Sequence, residues 1–185
     1  MKFTLRGKRI WFLMAIVLSL LINFWCVAMS DNAVLFPDPA FENALRDILE
    51  KPYGELTKED VEHIDSLSLD GCFIKDLTGI ELFTDLKYLS CCYNELTSID
   101  LSANTELLEL YCDCNGLTQL DLSRNVKLRW LSCPDNALTS LDLSQNPCIE
   151  EIYVCFNQLS ELNTDSNPLL TYLQCEHNQI SSLDF

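Results

Sequence analysis

The chain has 185 residues, which is enough for one domain with a sizeable hydrophobic core. It carries 28 acidic residues against 12 lysines and arginines, so its formal net charge at pH 7 is -16. A negative field of this size repels phosphate backbones and anionic lipid, which excludes nucleic-acid binding as a function.

The first thirty residues have the pattern of an export signal. They begin with four basic residues, Lys2, Arg6, Lys8 and Arg9. An apolar run from Ile10 to Met29 follows, and the small residues Ala28 and Ser30 match a signal-peptidase site. An uncleaved membrane anchor is the alternative, because the run is long enough to span a bilayer. We expect a secreted or cell-surface protein; without residues 1–30 its net charge is -20, because 8 basic residues then face 28 acidic ones.

Residues 31–63 predict a small N-terminal helical cap. Asp38 and Pro39 are a preferred N-cap and first-turn pair. Apolar residues then recur at helical spacing, as Phe41, Ala44, Leu45, Ile48 and Leu49. Thr57, with Asp60 three residues later, resembles a capping box that opens a second, shorter helix. A cap is expected, because the terminal leucines of a repeat array would otherwise face water.

From Ile64 onward the sequence repeats. A first row of 22 residues, Ile64 to Asp85, is followed by rows of 21 that begin at Leu86, Leu107, Leu128, Ile149 and Leu170. These later rows follow the pattern LxxLxCxxNxLxxLDLSxNxx, which is a leucine-rich repeat. One row cannot bury its leucines alone, but stacked rows bury a continuous core. Residues 64–185 therefore predict an α/β-type solenoid, a leucine-rich-repeat horseshoe with a parallel β-sheet on its concave face.

Three polar columns accompany the leucines. The first two are asparagine columns: Asn94, Asn115, Asn136, Asn157 and Asn178, and then Asn104, Asn125, Asn146 and Asn167. A carboxamide offers donors and an acceptor, so the first column is expected to satisfy backbone groups in the turn and to bind no ligand. The third column is Asp100, Asp121, Asp142 and Asp184, which Asn163 interrupts. Calcium needs more oxygens than one carboxylate per row, so these side chains are expected to hydrogen-bond the return backbone.

Motifs of the cap and the repeats resemble the internalins. The chain reads Phe-Pro-Asp-Pro-Ala-Phe at 36–41, Leu-Thr-Lys-Glu-Asp at 56–60 and Asp-Leu-Thr-Gly-Ile-Glu at 76–81. With cysteine on the strands, the pattern is most similar to the internalin J type, from Leu35 to Phe185. The resemblance implies a secreted bacterial adhesion or interaction protein, whose curved sheet holds a protein or surface partner. The last row is truncated, and the family's C-terminal cap, immunoglobulin-like domain and wall-sorting signal are missing, so wall attachment is not implied.

Cysteine recurs at one inward strand position, as Cys91, Cys112, Cys133 and Cys175. Val154 replaces it in one row, which indicates a small apolar site, and we expect these residues to pack as thiols. Side chains of in-register parallel strands stay too far apart for a disulfide. Two alternatives remain open. Cys92 and Cys114 lie close enough in neighbouring rows to form a bridge, and Cys155, Glu176 and His177 are a less favoured candidate for a metal or thiol site.

Function in such a fold is expected at the third and fifth positions of each row, which point away from the core. Each row has one aromatic residue that alternates between these positions, as Tyr88, Tyr111, Trp130, Tyr153 and Tyr172. Three acidic residues, Glu109, Glu150 and Glu151, flank this stripe, and Tyr93 and Phe156 extend it at the strand exit. Exposed tyrosine and tryptophan are enriched in binding hot spots. The alternative is that aromatic residues merely suit strands.

These patterns favour an exported protein-binding module, an adhesion or interaction scaffold, over an enzyme. The aromatic stripe is expected to contact the partner, and the carboxylates are expected to select a basic or hydroxyl-rich surface. A carbohydrate-binding or cell-wall-binding accessory is the alternative, since aromatic rings beside carboxylates also suit sugars. A thiol or zinc enzyme centred on Cys155 and His177 is less favoured. We expect no cofactor, and membrane contact only through an uncleaved N-terminal segment.

Overall fold

A computed structural model describes residues 32–181. The predicted export signal at residues 1–30 lies outside the described residues, as does Asp184 of the aspartate column. Within residues 32–181, no helix combines the length and the apolar character needed to cross a membrane.

Within residues 32–63, two short strands and two helices precede the repeats. They are β1 (Ala33–Val34), α1 (Pro39–Ile48), β2 (Leu56–Thr57) and α2 (Lys58–Val61), and β1 pairs with β2. Both predicted helices are present, and Asp60 accepts hydrogen bonds from the backbone N–H and the hydroxyl of Thr57, as in a capping box. One expectation is wrong. The helical spacing places Ile48 on the apolar face, but this residue is 45% exposed because it is the last residue of α1, whereas Phe41 and Leu45 are fully buried.

Asp38 connects α1 to the first repeat. Its Oδ1 accepts the backbone N–H groups of Ala40 and Phe41 at 2.7 and 3.3 Å. Its Oδ2 accepts those of Lys75 and Asp76 at 2.7 and 3.0 Å. Burial acts to raise the pKa of Asp38, but the four backbone hydrogen bonds outweigh it, so the pKa is lower than the ordinary 3.8. One carboxylate therefore caps the helix and holds it against the repeats.

Six parallel strands form one sheet in chain order. They are β3 (Ser66–Ser68), β4 (Tyr88–Ser90), β5 (Glu109–Tyr111), β6 (Trp130–Ser132), β7 (Glu151–Tyr153) and β8 (Tyr172–Gln174). A 3₁₀ helix, Ile80–Leu82, lies in the first row. Residues at the same row position pair across each interface, for example Leu89 with Leu110 and Leu110 with Leu131. The 21-residue period is therefore one turn of the coil, and the predicted parallel-sheet solenoid is confirmed.

The core is a column of aliphatic residues with the cysteine column beside it. Fully buried positions include Leu89, Leu110, Leu131 and Ile152, and also Cys91, Cys112, Cys133 and Val154. The predicted inward position of the cysteines is confirmed for these rows, while Cys175 in the last row is only partly buried. All nine cysteines of the described residues are free thiols. Burial raises the pKa of Cys91, so this thiol stays neutral and packs as an apolar group.

Asparagines of the first column join neighbouring rows. Oδ1 of Asn115 accepts the N–H of Leu96, in the preceding row, at 3.1 Å. Its Nδ2 donates to the carbonyls of Cys91 and Cys112 at 3.0 and 3.1 Å. The same arrangement is found at Asn94, Asn136, Asn157 and Asn178. The predicted structural role of this column is confirmed.

The second asparagine column lies wholly inside the coil. Nδ2 of Asn125 donates to the carbonyls of Leu101 and Asn104, in the preceding row, at 3.1 and 2.9 Å. Asn146 and Asn167 repeat these contacts one row further on in each case. Each of these side chains therefore ties two carbonyls of one row to the turn of the next.

The aspartate column stabilises turns on the return segment. Asp100, Asp121 and Asp142 each accept the N–H of the serine two residues later at 2.9 Å. These hydrogen bonds lower the pKa of all three carboxyl groups. Asn163 accepts the N–H of Asp165 at 2.8 Å in the same way, which explains why asparagine can interrupt the column. The predicted structural role of the three described aspartates is confirmed.

Candidate functional site

Five aromatic rings form a continuous stripe on the side of the sheet that faces away from the core. We call Tyr88, Tyr111, Trp130, Tyr153 and Tyr172 the aromatic stripe. Their ring centroids are 5.4, 6.3, 5.4 and 5.1 Å apart in this order. Successive ring planes are inclined by 42°, 33°, 20° and 31°. The stripe predicted from the alternating positions is therefore present as a geometric feature.

The rings meet along a diagonal because of the strand register. Side chains two residues apart on a strand share one face of the sheet. Tyr88 pairs with Glu109 and Ser90 pairs with Tyr111, so the two tyrosines are diagonal neighbours, which long aromatic side chains can bridge. The same register recurs at each of the next three interfaces. One aromatic residue per row is therefore enough to make an unbroken line of contacts.

The three inner rings have neighbours on both sides. Tyr111, Trp130 and Tyr153 each lie between two other rings of the stripe. Trp130 and Tyr153 are stacked, whereas the other neighbouring pairs are tilted, so each inner ring is partly covered from two sides. Tyr172, at one end of the stripe, is 48% exposed. The surface is thus a ridge of adjoining aromatic rings.

Two carboxylates beside the stripe are held by tyrosine hydroxyls on their own strands. Tyr111 donates to Oε2 of Glu109 at 3.1 Å, and Tyr153 donates to Oε2 of Glu151 at 2.7 Å. The hydrogen bond to Glu151 raises the pKa of Tyr153 to about 12. Burial, and then the bond to Glu109, raise the pKa of Tyr111. Sequence reasoning missed these pairs, although the spacing Glu-x-Tyr on one strand face could have revealed them.

Two serines expected on the exposed face are in fact buried. Ser90 and Ser132 are 3% and 6% exposed. Ser132 pairs with Tyr111 on one side and Tyr153 on the other, so larger side chains flank it within the sheet. Ser90 donates to Oδ1 of Asp70 at 2.6 Å, and Ser132 donates to Oδ1 of Asp113 at 2.7 Å. The serines therefore hold two more carboxylates of the preceding rows close to the stripe.

The charged residues on the strands of this face are all acidic. Strands β3 to β8 contain no lysine or arginine. Two basic residues border the strands, and both are paired: Lys87 with Asp65 at 3.5 Å and Arg129 with Glu150 at 2.7 Å. Glu150, which was expected to flank the stripe, is paired with Arg129, and its part in selecting a partner stays a prediction. Glu109 and Glu151 remain the acidic residues on the strands themselves.

Known proteins share this architecture. No family model matches the sequence. A stretch of 71 residues, 38% of the chain, is 39% identical to Internalin J of Listeria monocytogenes serotype 4b (strain F2365) and covers 8% of that protein. The functional domain of InlJ from Listeria monocytogenes, which includes a cysteine ladder, is 31% identical over 80% of this chain and 43% of that chain, with a TM-score of 0.61. The protein is an internalin-like leucine-rich-repeat solenoid.

A second solved structure agrees with this assignment. An internalin (InlF) from Listeria monocytogenes strain 4b F2365 is 27% identical over 80% of this chain and 46% of that chain, with a TM-score of 0.74. The internalin-like chain thus spans less than half the length of each of these three matches. Its buried column of Cys91, Cys112 and Cys133 is in keeping with the cysteine ladder of the InlJ domain.

The strand exits of the internalin-like coil carry two more exposed aromatic residues. Tyr93 is 68% exposed and Phe156 is 48% exposed. Both have φ of 55°, in the left-handed region that bulky residues rarely adopt. The ring of Phe156 stacks on that of His177 with centroids 4.2 Å apart and planes inclined by 12°. Their predicted exposure is confirmed, and their part in binding stays a prediction.

The alternative metal or thiol site of the internalin-like protein is not assembled. His177 stacks on Phe156, and residues 32–181 contain no group of three His, Cys, Asp or Glu side chains arranged to hold a metal ion. Cys155 is buried, and burial raises the pKa of its thiol, which disfavours the thiolate that a nucleophile needs. Within residues 32–181, Cys155, Glu176 and His177 therefore do not form a group of three side chains arranged around a common metal position. Cys92 and Cys114, the possible bridge, are both free thiols.

Proposed function

We propose that the protein is an exported protein-binding module and that its partner contacts the aromatic stripe. The observation that carries this proposal is the unbroken contact of five rings across five neighbouring strands. Tyrosine and tryptophan supply large contact areas at a low cost in conformational entropy, and they dominate binding hot spots. Because the rings already pack against one another, little ordering is needed when a partner arrives.

A protein partner suits this surface better than a sugar. Flat stacking of a sugar ring requires an open aromatic face, and the inner rings Tyr111, Trp130 and Tyr153 have another ring on each side. The edges that remain suit the apolar and polar groups of a polypeptide surface. The cysteines also favour a binding function over thiol catalysis. Burial raises the pKa of Cys92 to about 11 and raises the pKa of Cys155 above its ordinary value. These thiols are poor nucleophiles at neutral pH.

Export and domain organisation are part of the same proposal. We assign residues 1–30 to an export signal, residues 31–63 to a helical cap and residues 64–185 to the repeats. The basic start and apolar run of the first segment support export. The four hydrogen bonds of Asp38 across α1 and the first row support a cap that covers the end of the coil. The mass of the protein recovered outside the cytoplasm would show whether cleavage occurs near Ser30.

The decisive experiment compares partner binding by the full chain and by a stripe variant. Surface and secreted proteins, and separately a glycan array, are tested against the wild type and Trp130→Ala. A hot-spot contribution of about 2 kcal/mol predicts roughly thirtyfold weaker binding of a protein partner. Val126→Ala is the matched control, because Val126 is 45% exposed and lies on the return segment. Unchanged binding by a Tyr111→Ala, Trp130→Ala, Tyr153→Ala triple variant, or binding to glycans alone, would contradict the proposal.

A further inference from the structure

We propose that the occupant of the aromatic stripe is an extended basic segment in the polyproline II conformation, with two lysines or arginines three residues apart. This inference rests on the proposed protein-binding function and specifies the chemistry of the partner. Two independent features of the sheet carry it: the sign of its charge and the spacing of its carboxylates.

The charge selects a cationic partner. Glu109 and Glu151 lie on the strands, and hydrogen bonds from Ser90 and Ser132 hold Asp70 and Asp113 at the same face. No lysine or arginine occurs within β3 to β8 to neutralise them. The bordering cations are engaged elsewhere, since Lys87 pairs with Asp65 and Arg129 pairs with Glu150. A partner with acidic side chains would meet repulsion here, whereas a basic partner completes the ion pairs.

The separation of two glutamates selects basic residues that lie three positions apart in the partner. Glu109 pairs with Trp130, and Trp130 pairs with Glu151, so the two glutamates occupy equivalent positions two strands apart. With strands about 4.8 Å apart, their separation along the stripe is roughly 9.6 Å. A polyproline II helix advances about 3.1 Å per residue, so residues i and i+3 lie roughly 9.3 Å apart on the same side. A β-strand places same-side residues about 6.6 or 13 Å apart, and neither distance matches the separation of the glutamates.

The aromatic stripe itself also suits a segment in this conformation. Proline-rich segments in this conformation dock on surfaces lined with aromatic side chains, because the segment is already extended and loses little entropy. Trp130 lies between Glu109 and Glu151 in the register, so the stretch of the segment between two basic residues would pass over its indole ring. The hydroxyl of Tyr111 donates to Oε2 of Glu109, and the hydroxyl of Tyr153 donates to Oε2 of Glu151. These hydrogen bonds hold the two carboxylates in position before a cation binds.

Calorimetric titration of the full chain with synthetic peptides tests the inference. One peptide contains four Arg-Pro-Pro units, and its control has the same composition with the four arginines adjacent. The spaced peptide is expected to bind at least about tenfold more tightly. The double variant Glu109→Gln, Glu151→Gln should remove this preference, whereas Glu161→Gln, an exposed residue of the return segment, should leave it unchanged. Unfolding curves verify that both variants are folded.

Each outcome separates this inference from the broader proposal. Equal binding of the two peptides by the wild type, or a preference that survives the double variant, would overturn the assignment of a spaced basic segment. The wild-type comparison needs no substitution, so its result holds however the variants fold. If the peptides fail but a protein partner is still lost in Trp130→Ala, only the basic-segment inference fails. If Trp130→Ala has no effect on any partner, the binding function of the stripe fails as well.

Discussion

The hydroxyl of Tyr153 donates a 2.7 Å hydrogen bond to Glu151, two residues earlier on strand β7. This contact links the two chemical properties of the candidate face, since Tyr153 also packs against Trp130 and Tyr172 in the aromatic stripe. The position of the carboxylate and the position of the ring are therefore coupled. Tyr111 and Glu109 repeat the pair two rows earlier. The face thus has a repeat of two rows built on a coil whose own repeat is one row.

The first prediction concerns the ionisation of Tyr153. Its pKa is raised to about 12 by the hydrogen bond to Glu151, so the folded protein favours the neutral phenol. The stabilisation from this bond is therefore complete below pH 10, the ordinary tyrosine value, and is lost as the pH rises toward 12. The difference in ultraviolet titration between the wild type and Tyr153→Phe should show a phenol that ionises near pH 12. In Glu151→Gln this phenol should titrate closer to pH 10, and an unshifted titration would contradict the assigned cause.

The second prediction concerns Asp38, which caps α1 and binds the first repeat. Loss of an N-cap side chain costs about 0.5 to 2 kcal/mol, and Asp38→Ala also frees two N–H groups of the first row, so the expected destabilisation is about 2 kcal/mol or more. Denaturant unfolding at pH 7 measures this loss. The folded-state pKa is lowered, so the charge contributes stability above pH 3.8 that is lost as the pH falls through the lowered pKa. Asp38→Asn should therefore differ from the wild type at pH 7 and differ less at low pH.

The third prediction concerns the buried asparagine column. Asn125→Ala removes the hydrogen bonds that Nδ2 of Asn125 donates to the carbonyls of Leu101 and Asn104 inside the coil, although each carbonyl keeps one backbone donor. Each of the two lost hydrogen bonds contributes about 0.5 to 1.5 kcal/mol, so the free energy of unfolding should fall by about 1 to 3 kcal/mol. Asp121→Ala is the control, because that exposed side chain holds only a local turn, and its cost should be clearly smaller. Equal losses in the two variants would mean that the buried column is not a main source of stability.

The fourth prediction concerns the cysteine column. Cys133→Val should be tolerated within about 1.5 kcal/mol, because Val154 already fills the equivalent position of the next row. Cys133→Ser buries a hydroxyl at the same site and should cost about 1 to 3 kcal/mol. Unfolding curves measure both changes. In the native protein, a thiol reagent should leave Cys91, Cys112 and Cys133 unmodified, because all three are fully buried; rapid labelling of Cys133 would show that the column is open to solvent.

The regular repeat of the rows explains why so much of the architecture follows from the sequence. When each row is one turn of a coil, a residue column in the sequence becomes a line of neighbours in space, and the register follows without further information. The parallel sheet, the inward position of Cys112, the turn role of Asn115 and the diagonal line from Tyr111 to Trp130 were predictable on this basis. The period determined which residue positions become neighbours in space.

Only the tertiary structure decided how those side chains use their polar groups. The burial of Ser132 depends on the rings of neighbouring rows, and the pairing of Glu150 depends on the reach of Arg129 across an interface. The stacking of His177 on Phe156 is a choice of rotamer. A repeat pattern specifies positions of Cα and Cβ atoms, whereas these contacts depend on the distal atoms of flexible side chains and on which competing partner lies nearest. That difference separates what the sequence determined, the coil and its columns, from what required the folded molecule, the charge and shape of its face.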